Sequence, residues 1–266
     1  MAPSLLALAL ALALALAGTG CGGPPKPAQP PPQGAPGRID RLTVRGQDAV
    51  LVSPESKTRK VVVYTHGSGE TVENLFRDPK KQPIFSALLG AGYALAATDA
   101  HGDNWGNAAS VDDNRALVGE LHRRGLSDVY VLALSMGGLD GLQLLDGVDV
   151  KAWAGIFPAC DLRSVYDRGL YPGQIRAAYG RTGARLGDLM ARRSPVAFDV
   201  PDGLPMRFWA SPDDRVIPKA ENTDACAELA RRSGAKVEVT TTTGDHGDPS
   251  NYDAAGVLRL FGSAGT

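Results

Sequence analysis

A serine lies between small residues at the point where a strand pattern changes to a helix pattern. Ser135 is the third residue of segment 133–138 (Ala-Leu-Ser-Met-Gly-Gly), which overlaps the end of an apolar run over 129–134 and the start of a predicted helix over 136–145. A sharp strand-to-helix turn exposes such a hydroxyl above the sheet and leaves no room for large flanking side chains. The N–H groups at the helix start would face the negative charge that develops when a carbonyl is attacked. The segment therefore predicts that Ser135 is a nucleophile.

A serine hydroxyl is a weak nucleophile at neutral pH, so this chemistry needs a histidine base and an acid that orients it. The chain contains four histidines: His66, His101, His122 and His246. His122 falls in a predicted charged helix beside two arginines, which is typical of an exposed residue. His101 follows the fourth predicted strand and is a candidate pocket residue. His246 lies in a Gly- and Asp-rich loop after the last predicted strand.

These features together resemble the α/β-hydrolase family, whose nucleophile usually lies in a Gly-x-Ser-x-Gly turn. Ala133 replaces the first glycine, as it does in some small bacterial lipases of that family. The resemblance implies that His246 is the base, because the family carries this histidine just before its C-terminal helix. It also implies that the acid lies four residues before a proline, and Asp214 precedes Pro218 by four residues. Asp213 is the rival, and its alternative role is a turn residue that accepts hydrogen bonds from local backbone N–H groups.

The segment 66–69 (His-Gly-Ser-Gly) follows the third predicted strand and resembles the oxyanion loop of the same family. By this resemblance, the backbone N–H groups of Ser68 and Met136 would bind the oxyanion. Each such donor typically lowers the barrier by about 2.7–4 kcal/mol. The implied mechanism transfers a proton from Ser135 to His246, forms an acyl-enzyme and releases the acyl group with water. This chemistry requires neither a metal nor an organic cofactor.

Strand and helix patterns alternate along residues 40–266, the predicted catalytic domain. The interleaving predicts an α/β fold, with a mostly parallel central sheet covered by helices on both faces. The Arg-rich segment 162–195 interrupts the alternation and predicts a small helical insertion, either a cap over the site or a solvated addition. The predicted strands are 41–45, 49–53, 61–64, 93–97, 129–134, 150–157, 206–210 and 237–241, and the predicted helices are 109–124, 136–145, 219–233 and 251–261.

Three residue groups near the predicted strand ends have more than one interpretation. Asp99, His101 and Asp103 form a cluster of metal-binding residue types, but the spacing matches none of the structural zinc patterns, so a loop is the preferred interpretation and no metal is expected. Trp105 is a candidate wall of the substrate pocket or a ring packed against the neighbouring helix. Two cysteines, Cys160 and Cys226, either pair in a disulfide or remain as buried thiols.

The first forty residues predict a cellular location rather than a catalytic group. Residues 5–17 are only Leu and Ala and would span about 20 Å as a helix, against about 30 Å for a bilayer core. Residues 1–20 are therefore predicted to be a secretory signal peptide. Residues 17–21 (Ala-Gly-Thr-Gly-Cys) resemble a bacterial lipobox, which implies lipidation of Cys21; ordinary signal cleavage is the alternative. The Pro-rich segment 21–39 then predicts an extended tether at the cell envelope.

Composition excludes several classes of protein. A formal charge of −1 gives no basic footprint for nucleic acid, and three cysteines are too few for a disulfide scaffold. We expect an exported, lipid-anchored serine hydrolase that cleaves small-molecule or polymer esters and contacts the membrane through its lipid alone. The alternatives are a peptidase of the prolyl-oligopeptidase type, which usually carries a propeller domain, and a surface binding protein on a hydrolase scaffold. The oligomeric state is left open.

Overall fold

A computed structural model describes residues 37–180, 183–194 and 197–265, and eight of its strands form one sheet. The strands are β1 (Arg38–Val44), β2 (Gln47–Ser53), β3 (Lys60–Thr65), β4 (Ala94–Thr98), β5 (Asp128–Leu134), β6 (Val150–Ile156), β7 (Pro205–Ala210) and β8 (Lys236–Thr241). Their order across the sheet is β1-β2-β4-β3-β5-β6-β7-β8. Only β2 pairs with its neighbours in antiparallel fashion, and the other pairs are parallel. The prediction of a mostly parallel sheet is confirmed.

The described residues also form nine α-helices, and shorter helical turns flank the last two. They are α1 (Asn74–Arg77), α2 (Gln82–Gly90), α3 (Ala108–Arg123), α4 (Gly137–Gln143), α5 (Leu162–Asp167), α6 (Pro172–Tyr179), α7 (Ala184–Ala191), α8 (Ala225–Arg232) and α9 (Ala254–Ser263). A π-helical turn over Ala220–Asp224 leads into α8. The last helix begins at Ala254 rather than at 251, because Asp253 caps it by accepting a hydrogen bond from the Gly256 N–H.

Apolar residues on both faces of the central strands explain their continuous hydrophobic runs. Along β3, Val61 and Val63 face one core cluster, whereas Val62 and Tyr64 face the other. Helices α3, α4 and α8 contribute buried residues to the first cluster, and α2 and α9 contribute to the second. Burying a Val or Leu side chain contributes about 1.5–3 kcal/mol. Helices on both faces therefore hold the sheet, and its carboxyl edge stays available for a site.

The segment predicted as an insertion contains α5, α6 and α7. Its buried side chains Leu162, Ile175 and Met190 join the first core cluster, so the segment is anchored to the sheet through apolar contacts. One arginine of this segment, Arg193, donates a hydrogen bond from Nε to the Gly106 carbonyl oxygen at 2.6 Å. The segment is thus helical and packed, in agreement with the sequence pattern.

Several expectations concern parts of the chain that the structure does not describe. The signal peptide (1–20), the lipidation site Cys21 and nearly all of the tether (21–39) lie outside the described residues. Within the described residues, no helix is both long enough and apolar enough to cross a membrane. Both described cysteines, Cys160 and Cys226, are free and buried rather than paired in a disulfide.

Candidate active site

The turn after β5 holds Ser135 in a backbone conformation that few residues other than glycine adopt. Its φ is +48°, and its carbonyl oxygen accepts hydrogen bonds from the Gly138 N–H at 2.9 Å and the Ala159 N–H at 2.8 Å. A Cβ atom on Gly137 would lie 2.1 Å from the Thr65 carbonyl oxygen, closer than any real contact. The small residues that the sequence places after Ser135 are therefore required by close backbone approach. The turn aims the serine hydroxyl above the carboxyl edge of the sheet.

A continuous series of hydrogen bonds links Ser135 to a histidine and an aspartate from two other loops. Ser135 Oγ lies 3.0 Å from His246 Nε2, and His246 Nδ1 lies 2.8 Å from Asp214 Oδ2. The His246 ring also packs against Phe157, with 4.3 Å between the ring centroids. The backbone N–H of His246 donates to Asp245 Oδ1 at 2.8 Å, which fixes the residue's main chain. The imidazole is thus held between the nucleophile and a carboxylate, which is the geometry a general base needs.

Asp214, and not Asp213, makes the contact with the histidine. The Asp214 side chain is 2% exposed, and its second carboxylate oxygen, Oδ1, accepts from the N–H groups of Val216 at 2.8 Å and Ile217 at 2.9 Å. These bonds fix the carboxylate and leave Oδ2 for the imidazole. Asp213 is exposed, and its own N–H donates to Ser211 Oγ at 3.0 Å. Asp213 therefore lies in the turn that brings Asp214 to the site.

The loop over residues 66–69 lies against the nucleophile turn. Thr65 Oγ1 donates to the Gly137 carbonyl oxygen at 2.8 Å, which joins the end of β3 to the start of α4. The Gly69 N–H donates to Asp103 Oδ1 at 2.6 Å, and the hydroxyl of Ser68 donates to the same oxygen at 2.8 Å. Within the described part of the chain, the backbone N–H groups of Ser68 and Met136 donate to no protein acceptor. Among these residues, the turn itself thus has an unpaired N–H group, that of Met136, and the neighbouring loop has another, that of Ser68.

The other three histidines lie away from Ser135 Oγ. The His66 ring nitrogens lie 2.9 Å from the Gly67 carbonyl oxygen and 3.0 Å from the Asp99 carbonyl oxygen, and the residue is buried. His101 is 43% exposed and pairs with Asp113. His122 is exposed on α3. Of the four, only His246 forms a hydrogen bond with Ser135 Oγ.

Trp105 is a core residue rather than the wall of an open pocket. Its side chain is 1% exposed, and its ring packs on Tyr171 with 4.8 Å between centroids. Tyr171 is partly exposed at the start of α6, so it is the ring of this pair with free surface. Oε1 of the neighbouring Gln174 lies 3.2 Å from Ser68 Oγ. Helix α6 therefore reaches the loop beside the site.

The acidic residues of the predicted loop cluster accept hydrogen bonds from backbone N–H groups of the loop after β3. Asp99 Oδ1 accepts from the Val72 N–H at 2.6 Å, and Asp103 accepts from the Gly69 N–H. No group of three or more His, Cys, Asp or Glu residues within the described ranges is arranged to hold a metal ion. These two aspartates therefore join the loop after β4 to the loop after β3.

Two carboxylates near the site have shifted pKa values. Backbone N–H groups and the Arg215 guanidinium hold the pKa of Asp245 well below its usual range. Burial raises the pKa of Asp140, on α4, to about 6, although Ser110 Oγ donates to it at 2.6 Å. Asp245 is therefore a fixed negative charge beside His246, whereas Asp140 titrates in the mildly acidic range.

Two further residues that support the loop, Glu70 and Lys81, were not predicted from the sequence. Glu70 Oε2 accepts from the Gly67 N–H at 3.0 Å, and Lys81 Nζ contacts Glu70 Oε1. A glutamate three residues after a glycine in a polar turn is a weak signal for such a bond. The burial of Lys81 has no local sequence signal, because it follows from the packing of α2.

No protein-family model and no curated protein matches the sequence. A puromycin-hydrolyzing peptidase of Mycobacterium tuberculosis matches the structure with a TM-score of 0.69 at 17% identity, over 88% of this chain and 40% of that chain. A puromycin hydrolase matches with a TM-score of 0.67 at 17% identity, over 86% and 39%. An esterase of Pyrococcus furiosus matches with a TM-score of 0.63 at 17% identity, over 85% and 92%.

The chain thus spans about two fifths of the peptidase and of the puromycin hydrolase, and nearly all of the esterase. At this level of identity the likeness concerns the arrangement of strands and helices. It agrees with the mostly parallel sheet. The protein has the α/β-hydrolase fold, and the solved structures that share it include a puromycin-hydrolyzing peptidase, a puromycin hydrolase and an esterase.

Proposed function

We propose that this protein is a serine hydrolase that cleaves carboxylic esters through an acyl-enzyme intermediate. The observation that carries the proposal is the chain of hydrogen bonds from Ser135 Oγ through His246 to Asp214, with distances of 3.0 and 2.8 Å. Nucleophile, base and orienting acid come from three separate loops of the carboxyl edge. Such a constellation is a recurrent solution for acyl transfer.

The proposed reaction follows from these contacts. His246 Nε2 accepts the proton of Ser135 Oγ as the oxygen attacks the ester carbonyl carbon. Asp214 keeps the Nδ1–H tautomer and stabilises the imidazolium that forms. The imidazolium then donates its proton to the departing alkoxide, which leaves an acyl group on Ser135. A water molecule, deprotonated by His246, attacks the acyl-enzyme, and the proton returns to the serine as the acid departs.

The oxyanion of each tetrahedral intermediate would be bound by the backbone N–H groups of Ser68 and Met136. Both groups are unpaired among the described residues, and Met136 immediately precedes α4, whose N-terminal end carries a partial positive charge. Fixed donors of this kind typically lower the barrier by about 2.7–4 kcal/mol each. All groups that the reaction requires are side chains or backbone of this chain, so the proposal includes no cofactor.

The test is turnover of chromogenic p-nitrophenyl esters of increasing acyl length, together with labelling by a fluorophosphonate. We expect Ser135→Ala to lower turnover by at least about 10³-fold and to abolish labelling, because no other hydroxyl of the described residues forms a hydrogen bond with His246. Ser127→Ala, at the opposite end of β5, is the matched control and should retain activity. A wild-type protein with neither Ser135-dependent turnover nor labelling would leave only a binding role on a hydrolase scaffold.

A peptide substrate is the second candidate. It is supported by the peptidases among the structural neighbours, and the same three residues serve amide hydrolysis. Aminoacyl p-nitroanilides separate the two, because their leaving amine requires protonation whereas p-nitrophenolate does not. Higher kcat/KM on anilides than on alkyl esters of the same acyl group would favour the peptidase. A panel of acetylated sugars and polymer esters would then narrow the ester class.

For location, we propose an exported protein anchored through a lipid on Cys21. The support is the Leu/Ala run over 5–17, the lipobox-like residues before Cys21 and the proline-rich tether that follows. Fractionation of cells that express the wild type or Cys21→Ser tests it. The wild type should be recovered with membranes and the variant in the soluble fraction, and equal distributions would contradict the anchor.

A further inference from the structure

A buried ion pair lies behind the oxyanion loop. The Lys81 side chain is 2% exposed and contacts Glu70 Oε1 and Asp78 Oδ2, the latter at 2.8 Å, while Glu70 is 15% exposed. Lysine is rarely buried, and removing two charges from water often costs as much free energy as their attraction returns. The pair is therefore weak evidence for stability, and its contacts point to another role.

The Glu70 carboxylate is held from two sides and has one orientation. Lys81, just before α2, contacts Oε1, while Tyr64 on β3 donates its hydroxyl to Oε2 at 2.7 Å. The same Oε2 accepts from the Gly67 N–H at 3.0 Å. Residues on β3 and just before α2 therefore fix the Glu70 carboxylate. The carboxylate in turn fixes the Gly67 N–H and the loop that contains it.

Glu70 also holds the peptide unit that carries the proposed donor. Its backbone N–H donates to the Gly67 carbonyl oxygen at 3.2 Å, and a ring nitrogen of His66 lies 2.9 Å from that oxygen. The Gly67 carbonyl and the Ser68 N–H belong to one planar trans peptide, so they point in opposite directions. A fixed carbonyl therefore fixes the direction of the Ser68 N–H.

Along the loop, the backbone N–H groups differ in whether they have a hydrogen-bond partner. The N–H groups of Gly67 and Gly69 donate to the carboxylates of Glu70 and Asp103, whereas the N–H of Ser68 between them donates to no group in the described part of the chain. Two anchored neighbours thus present one unpaired donor. Preorganised donors avoid reorganisation during the reaction, which is the main source of their catalytic effect.

We propose that Glu70, fixed by Lys81 and Tyr64, is a positioning residue that orients the Ser68 N–H for the oxyanion. This inference rests on the proposed function, since it assigns a support to the same site. Glu70 touches no reacting atom in this proposal. It acts through Gly67, so its loss should weaken binding of the transition state more than binding of the substrate.

The experiment uses the full chain and three variants. Glu70→Met/Lys81→Met replaces the pair with apolar side chains of similar volume, a change that buried pairs often tolerate. Glu70→Gln keeps a carbonyl oxygen for the Gly67 N–H and leaves Lys81 paired with Asp78. Glu73→Gln is the matched control, because Glu73 lies on the same segment but pairs with Arg41 and Arg77 at the surface. Active sites are titrated with a fluorophosphonate, so that kcat refers to folded enzyme.

We expect the double variant to lose about 10- to 100-fold in kcat per titrated site, with KM changed less than about twofold. Its affinity for a trifluoromethyl ketone, which forms a tetrahedral oxyanion on the serine, should fall by a similar factor. Glu70→Gln and Glu73→Gln should stay within about threefold of wild type.

Two results would overturn the inference. One is a double variant whose kcat per titrated site is unchanged, with only the titratable fraction reduced, since that marks a purely structural role. The other is an equal loss in Glu70→Gln, which retains the acceptor. Failure of the proposed function itself is distinguishable, because the wild type would then show no Ser135-dependent turnover and no titratable site.

Discussion

Replacement of either neighbouring aspartate by asparagine tests the proposed triad most sharply. In Asp214, Oδ1 accepts two backbone N–H groups and Oδ2 faces His246 Nδ1 at 2.8 Å. Asparagine at 214 would keep its single oxygen on the two N–H donors, because an amide nitrogen there would oppose them. Its amide nitrogen would then take the place of Oδ2 and donate toward Nδ1. The imidazole would be forced into the Nε2–H tautomer, which cannot accept the proton of Ser135.

The wrong tautomer at this position typically costs about 10⁴ in kcat, which corresponds to about 5.5 kcal/mol of barrier. Asp213→Asn removes a charge from an exposed turn, and no described residue donates a hydrogen bond to its carboxylate. We expect its rate to stay within about twofold of wild type. The two substitutions are chemically identical and adjacent, so each is the control of the other.

The assay is steady-state hydrolysis of a p-nitrophenyl ester between pH 6 and 9, normalised to circular dichroism of the folded protein. Substitution at position 214 should lower kcat with little change in KM, because the substrate itself does not contact the buried carboxylate. Comparable losses at positions 213 and 214, or a loss at 213 alone, would contradict the assignment of Asp214 as the residue that orients His246.

Three further predictions concern the frame around the site. Burial raises the pKa of the Asp140 carboxyl to about 6 in the folded protein. The carboxyl therefore loses its proton at a lower pH in the unfolded chain than in the folded one, and the free energy of unfolding of the wild type falls as the pH rises from about 4 to 6. Urea unfolding should show Asp140→Asn gaining up to about 3 kcal/mol relative to wild type at pH 8 but not at pH 4. Burial also raises the pKa of the Cys160 thiol, and both Cys160 and Cys226 are buried. Mass spectrometry should therefore find both cysteines unmodified by iodoacetamide in the native protein and modified in denaturant. Modification of the native protein at the rate of a free thiol would contradict this. Gly137→Ala should destabilise by at least about 3 kcal/mol, whereas Gly262→Ala, which meets nothing within 4 Å, should be neutral or stabilising in thermal melts.

The parts of the site that the sequence predicted are those with local signals. Ser135 is marked by small residues between a strand run and a helix run, and Asp214 and His246 lie in loops after later strands. The carboxyl ends of parallel strands meet at one edge, so strand-end loops from distant parts of the chain converge there. The structure brings these three side chains into hydrogen-bond contact. Each of the eight predicted strands overlaps an observed strand, because a local pattern of apolar or β-branched residues marks each of them.

The parts that the sequence did not predict depend on contacts between distant segments. Trp105 has the amphipathic ring of a pocket residue, yet Tyr171 from α6 covers it, and no pattern near Trp105 encodes that contact. Lysine is a residue type that usually lies at the surface, and Lys81 is buried here because its charge is paired with Glu70 and Asp78. Residue type indicates what a side chain can do, but burial is decided by the rest of the chain.

The loops around the site contain several acidic residues, and one physical reason explains their presence. Loops at a sheet edge lack the regular partners of strands and helices, so their backbone N–H groups need other acceptors. Glu70, Asp103, Asp214 and Asp245 each accept at least one backbone N–H from a loop that carries a proposed catalytic group. Carboxylates form stronger hydrogen bonds than neutral acceptors, and each anchored loop then has one orientation. Asp103, which resembles a metal ligand in the sequence, and the other three carboxylates therefore fix the loops that carry the proposed site.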